Sequence, residues 1–262
     1  AFTCAIPAFA AETLVDPSTW AASDDLGRTL PGYEETQKED DKERFVGMFY
    51  WSWHGDLATQ NSARNLTEIM AAHPEAKNDY SHSVWEGNDG YYFWDEPIYG
   101  YYSTTDKYVI RKQAELLADA GVDVIIFDCT NGSFTWRNSY TTIFDVFTKA
   151  RSEGVNTPQI AFMLNLAAWP QTRTMLHSLY EDIYAAGKWE DLWFQWKGKP
   201  LILAYPEALT DDEYDQEIAS FFTFKPVEPT YGTPENTSNL WGWLSLFPQA
   251  KYGPLSATGR VE

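Results

Sequence analysis

The sequence predicts an α/β fold, a (β/α)8 TIM-type barrel that we expect to be incomplete within its 262 residues. Short apolar segments alternate with helical patterns from residue 45 onward, and this alternation is typical of folds built on a parallel sheet. Aromatic and polar residues follow several predicted strands, and barrels gather their functional residues at the carboxyl ends of strands. The sequence has neither a Gly-rich dinucleotide fingerprint nor a phosphate loop, so a nucleotide-binding doubly wound sheet has no support.

Two segments precede the predicted barrel, which we assign to residues 45–262. Residues 1–10 are apolar and uncharged, and Ala8-Phe9-Ala10 matches the small-x-small pattern of signal-peptide cleavage sites. We interpret them as a signal-peptide remnant, with an apolar strand as the alternative, and therefore expect a secreted, periplasmic or cell-surface protein. Residues 11–44 are polar and are interpreted as an arm that leads into the fold.

Six segments of the predicted barrel have the composition of strands. Residues 122–127 (VDVIIF) are the clearest, because a nearly continuous apolar run is typical of a parallel strand covered on both faces. The other predicted strands span residues 45–53, 159–166, 200–205, 221–224 and 240–246. Six strands are fewer than the eight of a complete barrel, and the polar end of the chain has no terminating element, so we expect truncation at the C-terminus.

Helical patterns separate these strands. In residues 106–120 apolar side chains recur on one face, Thr105 and Asp106 are the candidate N-cap residues and Gly121 follows the predicted end. The other predicted helices span residues 62–73, 140–153, 173–186 and 210–220.

Charge narrows the range of partners. Asp and Glu outnumber Lys and Arg by 38 to 19, which gives a formal net charge of −19. Because nucleic acids and anionic membranes attract basic surfaces, we expect no nucleic-acid partner. No segment after residue 10 approaches the length of a transmembrane helix, so no membrane span is expected, and we infer no obligate protein partner.

Aromatic residues make up 16% of the chain, with 12 Trp and 16 Tyr. Tyr and Trp combine an apolar face with a polar group, which suits the C–H faces and hydroxyl edges of sugar rings. An aromatic-rich core is the alternative explanation.

Carboxylates, amides and aromatic side chains follow the predicted strands and therefore converge on one face of a barrel. This inventory suits a polysaccharide or glycan substrate. The candidate substrate-binding residues are Trp53, His54, Asp95, Tyr99, Tyr101, Asn131, Asn165, Tyr205 and Trp241.

Glycoside hydrolysis usually needs two carboxyl groups, one that donates a proton and one that attacks or activates water. Asp128 and Glu207 follow different predicted strands and are the candidate pair, with Glu96 as a third candidate. Asp128 has an alternative role in capping a turn or orienting a loop, and Glu207 one as a solvated loop residue.

Metal and cofactor chemistry has little support in the sequence. The chain has four histidines, no H-x-x-x-H motif and no paired cysteines in a metal-binding motif, so we predict no metal site and no cofactor. A thiol nucleophile at Cys129 lacks a recognised histidine partner motif.

Three stretches resemble a known group of enzymes: Tyr99-Gly100-Tyr101-Tyr102-Ser103 before a helix, Ala120-Gly121-Val122-Asp123-Val124 at a strand, and Gly198-Lys199-Pro200-Leu201-Ile202 at another. In this order they resemble secreted bacterial barrel enzymes, the endo-α-mannosidase and mutanase-type glycoside hydrolases (families 99 and 71). The resemblance covers roughly residues 45–205. It implies a (β/α)8 barrel that acts on a polysaccharide or glycan with α linkages. It does not transfer a catalytic pair, because the family's acids lie late in the barrel and this sequence has no matching late motif.

The sequence therefore predicts a secreted glycoside hydrolase that cleaves the glycosidic bonds of a polysaccharide or glycan by paired-carboxylate acid/base chemistry. A non-catalytic glycan-binding barrel protein is the first alternative. A different hydrolase or a lyase on the same scaffold is the second, because a fold does not fix the chemistry.

Overall fold

The computed structural model describes residues 22–32, 35, 45–53, 64–85, 92–93, 95, 97–100, 102–229 and 240–243. The segment interpreted as a signal-peptide remnant, residues 1–10, lies outside the described residues, as does much of the polar arm. Three candidate site residues, His54, Glu96 and Tyr101, also lie outside them.

Ten strands occur in the described part of the chain. In chain order they are β1 (Gly47–Tyr50), β2 (Arg64–Asn65), β3 (Tyr92–Phe93), β4 (Val124–Asp128), β5 (Gln159–Met163), β6 (Gln195–Trp196), β7 (Lys199–Leu203), β8 (Thr223–Phe224), β9 (Val227–Pro229) and β10 (Trp241–Trp243). Each of the six predicted strand segments overlaps one of them, although β4 extends one residue beyond its predicted end and β7 begins one residue before its predicted start.

The central sheet is parallel, and its strands follow one another in chain order. It runs β1-β4-β5-β7, β8 pairs in parallel with the far side of β7, and β6 is a short antiparallel neighbour of β7. β9 and β10 form a second parallel pair. Lys225, between β8 and β9, donates its backbone N–H to Ile202 O at 3.0 Å, which links the two sheets. The predicted α/β class is confirmed, and the strands predicted from residues 45, 122, 159 and 200 are parallel neighbours.

The parallel strands form a curved surface. Phe49 on β1 and Trp243 on β10, the first and last parallel strands in chain order, have ring centroids 4.9 Å apart. The end strands therefore meet through side chains on the inner face. Among the described residues no backbone pairing joins β10 to β1, and the strands do not close into a complete barrel.

Successive residues of each strand pack alternately into two hydrophobic cores, because their side chains point to opposite faces of the sheet. The inner core, which includes Val124, Met163 and Leu203, lies on the face where Phe49 and Trp243 meet. The larger outer core, which includes Phe127 and Phe162, packs the sheet against the helices. Burial on both faces explains the continuous apolar runs in the sequence.

Five α-helices are described, and they agree with the predicted helical segments. They are α1 (Leu66–Ala72), α2 (Lys107–Asp119), α3 (Arg137–Ser152), α4 (Pro170–Leu179) and α5 (Glu213–Phe221). Of the two candidate N-cap residues, Asp106 caps α2, since its side chain accepts the N–H groups of Tyr108 and Val109. α4 begins three residues earlier than predicted because Pro170 occupies its first turn, where a missing N–H costs nothing. Among the residues that the structure describes, no helix is both long enough and apolar enough to span a membrane.

A buried carboxylate joins α4 to α5. Asp215 is fully buried and accepts hydrogen bonds from Arg173 Nε at 2.7 Å, from Thr210 N at 2.7 Å and from Thr210 Oγ1 at 2.6 Å, and His177 Nε2 contacts its other oxygen. Burial by itself raises the pKa of Asp215, but the hydrogen bonds from Arg173, Thr210 and His177 outweigh it and hold this pKa well below its usual range. This cluster stabilises the helical layer.

Candidate functional site

The carboxyl ends of the parallel strands lie at one edge of the sheet, which we call the carboxyl edge. Trp53 follows β1, Asp128 ends β4, Asn165 follows β5, and Tyr205 and Glu207 follow β7. Register pairs Asp128 with Met163 and Met163 with Leu203, so these strands end at the same level. The sequence-predicted residues of these strands therefore share one edge.

Asp128 is the most constrained polar residue at this edge. It is buried on the inner face, in the same alternation as Val124 and Ile126. Trp53 Nε1–H donates to its Oδ2 at 3.1 Å, and Thr130 donates to its Oδ1 from the backbone N at 3.0 Å and from Oγ1 at 2.7 Å. The carboxylate thus fixes the indole of Trp53 and closes a turn after β4, which matches the orienting role considered for it from the sequence.

Four aromatic side chains pack together beside Asp128, and we call Trp51, Trp53, Phe134 and Trp136 the aromatic array. Trp53 stacks on Trp136 with centroids 5.5 Å apart and an interplanar angle of 15°. Trp51 packs edge-on against Trp53 at 4.6 Å, and Phe134 lies against Trp136 at 5.2 Å. Trp51 and Phe134 are 50% and 58% exposed, so the array presents a large apolar surface beside a carboxylate.

Trp136 has an unusual backbone for a bulky residue. Its φ is +58°, in the left-handed region, which costs a non-glycine residue about 1 kcal/mol. Its indole Nε1 is buried and makes no hydrogen bond to the described residues. Strain and an unsatisfied donor at one residue are features that cluster at functional sites. Neither Trp136 nor Phe134 was predicted from the sequence, although both lie in the loop after β4, where a barrel places site residues.

Asn165 holds the loop that follows β4. Its amide donates to Thr130 O and Gly132 O, both at 2.9 Å, and its Oδ1 faces Thr172 Oγ1 at 3.3 Å. Asn131 lies inside this loop and is exposed. Asn165 therefore positions the loop that carries Asn131 and leads to Phe134.

Glu207 lies on a short turn, Pro206–Ala208, and is exposed. The strands that lead to Asp128 and Glu207, β4 and β7, are separated by β5 alone, which puts their backbones about 10 Å apart. Tyr205 donates its hydroxyl to Val227 O at 3.4 Å and thereby links the end of β7 to β9.

The other predicted site residues lie in different surroundings. Tyr99 packs edge-on against Tyr108 in the first turn of α2 at 6.0 Å, and Asp95 is exposed. Trp241 packs in the inner core against Trp196 at 5.7 Å, with Lys225 Nζ 5.5 Å from its ring centroid. The described contacts do not join Tyr99 or Trp241 to the aromatic array.

Cys129 is unsuited to act as a nucleophile. The residue is fully buried, and burial together with the charge of Asp128 raises the pKa of its thiol far above the usual range. A thiol that stays protonated at neutral pH is a poor nucleophile.

One group of possible metal ligands was not foreseen from the sequence. His73, Glu75 and His82 bring one ligand atom each to within 4.8 Å of one another. The spacing is H-x-E followed by a histidine seven residues later, and the segment that carries the three residues is not one α-helix. Turn conformations bring these residues together, so a search for helical or paired-cysteine motifs does not find them.

Comparisons with known proteins give one distant structural similarity. No family model matches the sequence, and no curated protein matches it. The chain is similar to a solved GH99 endo-alpha-mannosidase from Bacteriodes thetaiotaomicron, with a TM-score of 0.40 and 17% sequence identity. The similarity covers 70% of this chain and 52% of that enzyme, so the chain spans about half of the enzyme's length.

Proposed function

We propose that the carboxyl edge binds a polysaccharide or glycan and that the protein hydrolyses glycosidic bonds there. The observation that carries the proposal is the aromatic array beside Asp128. Indole and phenyl faces match the C–H faces of sugar rings, and Trp51 and Phe134 expose about half of their surface at this edge. The finer architecture that we propose is a (β/α)8 barrel, to which the described parallel strands contribute part of the wall.

The proposed chemistry uses two carboxyl groups at this edge. Asp128 Oδ2 accepts one hydrogen bond from the described residues, that of Trp53, and so keeps a lone pair for a substrate proton. Glu207 is exposed on the turn after β7 and is the proposed partner. One carboxyl protonates the leaving oxygen, and the other attacks the anomeric carbon or activates water.

A non-catalytic glycan-binding protein is the second candidate function. Asp128 is fully engaged at Oδ1 by Thr130 and tied to Trp53 through Oδ2, which is the bonding of a residue that holds a binding surface in place. In this case the aromatic array binds sugar without bond cleavage.

Two measurements on the same protein separate these functions. Soluble α-linked mannans and glucans are the first ligands to test, because the sequence motifs resemble enzymes that act on α linkages. Binding is measured by affinity electrophoresis, and hydrolysis by release of reducing ends. Binding with release that is lost in Glu207→Gln supports the hydrolase, and binding without release supports the second candidate. Absence of both on a broad glycan panel contradicts the proposal. A glycan substrate accords with the secreted, periplasmic or cell-surface location that we also propose.

A further inference from the structure

A compact local segment carries two histidines and a glutamate outside the carboxyl edge. α1 ends at Ala72, its C-cap residue His73 donates the backbone N–H to Ile69 O at 2.7 Å, and Pro74 then begins a short 3-10 turn that carries Glu75. The next turn is organised by Asp79, whose Oδ1 accepts the N–H of Ser81 at 3.0 Å, and it leads to His82. Short hydrogen-bonded turns thus hold three potential ligands, His73, Glu75 and His82, which we call the histidine–glutamate cluster.

Two of the three distances between ligand atoms in the cluster match those around a tetrahedral ion, and all three are within 4.8 Å. His73 Nδ1 lies 3.3 Å and His82 Nε2 lies 3.4 Å from the same oxygen, Glu75 Oε1. Zinc–ligand bonds of about 2.0–2.2 Å at tetrahedral angles place neighbouring ligand atoms roughly 3.3–3.5 Å apart. An N–H···O hydrogen bond is usually nearer to about 2.9–3.0 Å. Both nitrogens therefore lie at ligand spacing around one carboxylate oxygen.

The donor set selects the kind of cation. Two imidazole nitrogens and one carboxylate oxygen suit Zn²⁺ and its late first-row neighbours, whereas Mg²⁺ and Ca²⁺ prefer oxygen ligands. Glu75 is more than half exposed and the histidine side chains are partly exposed, so an ion can reach the cluster from solvent. Three protein ligands leave one tetrahedral position for water.

The imidazole of His82 would change its tautomer when a metal binds. Val84 N–H donates to His82 Nδ1 at 3.2 Å, which places the ring proton on Nε2 in the metal-free protein. A metal at Nε2 displaces that proton, and a neutral ring then carries its proton on Nδ1. Nδ1 can no longer accept from Val84, so the Val84 amide is released. This coupling gives metal binding a local signature.

We propose that His73 Nδ1, Glu75 Oε1 and His82 Nε2 bind one Zn²⁺ ion, with water as the fourth ligand. The site is independent of the glycan-binding proposal, since none of its residues belongs to the carboxyl edge.

Calorimetric titration of the whole chain with Zn²⁺ alone tests the proposal. We expect one ion per chain, and at least about a tenfold loss of affinity in Glu75→Gln and in His82→Asn. The control is Glu68→Gln, which changes an exposed carboxylate of α1 outside the cluster and should leave the affinity unchanged. Excess Mg²⁺ should not compete. Thermal melts without zinc confirm that each variant is folded.

Amide hydrogen exchange provides the second readout. Zinc should speed exchange at Val84 in the parent protein and leave it unchanged in Glu75→Gln at the same zinc concentration. Failure to bind zinc, or binding that Glu75→Gln and His82→Asn do not weaken, would overturn the site. Zinc binding through the cluster without any change at Val84 would overturn the assignment of His82 Nε2 as a ligand.

Discussion

Trp53 Nε1–H donates a hydrogen bond to Asp128 Oδ2 at 3.1 Å and thereby ties the end of β1 to the end of β4. The same carboxylate holds Thr130, and the same indole stacks on Trp136 in the loop after β4. One bond therefore connects an aromatic surface to the residue that would act on a bound sugar. Substitutions at Trp53 and at Asp128 separate the roles of the two partners of this bond.

Replacing Trp53 with Ala should weaken glycan binding at least about tenfold, because it removes the central ring of the array. Trp53 is only partly buried, so the cost in unfolding free energy should stay below the roughly 3–5 kcal/mol of a fully buried Trp→Ala change. Trp53→Phe is the matched variant, since it keeps a ring and loses the bond to Asp128. Glycan affinity and urea unfolding are measured on both. An unaltered affinity in Trp53→Ala would remove this residue from the binding surface.

Asp128→Asn tests the proposed chemistry. If Asp128 acts on the substrate, kcat should fall at least about a hundredfold, the lower range for general acid–base catalysis. The carboxylate accepts from Trp53 on one oxygen and from Thr130 on the other, whereas an asparagine side chain has only one oxygen. Asp128→Asn therefore loses one of these two hydrogen bonds, which loosens the proposed binding surface, so KM should rise as well. The control is Asp123→Asn at the amino end of the same strand, where Asp123 Oδ2 accepts Val46 N–H at 2.8 Å and an amide oxygen can do the same. Unchanged kcat in Asp128→Asn on a verified substrate contradicts the catalytic role.

Much of the fold was predictable because it rests on burial. The parallel strands are buried on both faces, so each appears in the sequence as an apolar run, and VDVIIF at residues 122–127 contains most of β4. Helix starts were predictable where a side chain caps them, as Asp106 does for α2. The side-chain contact between β1 and β10 was not predictable, because Phe49 and Trp243 are residues that no local pattern relates.

The candidate site was predictable only in part. Trp53 and Asp128 were found because they follow strands, and parallel strands end at one edge. The placement of the Trp136 ring beside Trp53 depends on a left-handed backbone conformation at Trp136. The assembly of the histidine–glutamate cluster depends on two consecutive turns. Neither conformation has a periodicity that sequence inspection detects.

The Asp215 cluster should make the protein lose stability in acid. Its hydrogen bonds hold the pKa of Asp215 below its usual range in the folded state, while the unfolded chain has a value of about 3.9. The stabilisation is therefore complete above about pH 4 and is lost as the pH falls through the lower folded pKa. Asp215→Asn should lower the unfolding free energy by roughly 3 kcal/mol at pH 7. The variant should also lose less unfolding free energy than the parent when the pH falls from neutral to acid. Urea unfolding at pH 7 and pH 3 measures both effects.

The matched control for the Asp215 experiment is Asp211→Asn, which changes an exposed carboxylate in the loop before α5. It should leave both the stability at pH 7 and the acid dependence unchanged. An equal loss of stability in acid for the parent and Asp215→Asn would show that other carboxylates govern acid unfolding.

Trp136→Phe tests whether the buried indole N–H is kept for substrate. This N–H has no hydrogen-bond partner in the described part of the chain, and an unsatisfied buried donor costs about 1–3 kcal/mol. Phenylalanine removes the unsatisfied donor and keeps a ring against Trp53. The stability gained by removing that donor offsets the stability lost through the smaller contact area. We expect the unfolding free energy to stay within about 1 kcal/mol of the parent value. If sugar binding exposes this N–H and a hydroxyl accepts from it, glycan affinity should nevertheless fall about threefold to tenfold when the donor is removed.

Trp136→Ala completes this comparison, because it removes the donor and the ring together. It should lose both stability and glycan affinity, so the two variants separate the N–H from the stacking surface. Calorimetric titration with glycan and urea unfolding give both quantities for each protein. If Trp136→Phe binds glycan as tightly as the parent while Trp136→Ala does not, the ring alone contacts the sugar. If neither variant alters affinity, Trp136 packs against Trp53 without contacting the sugar and lies outside the binding surface.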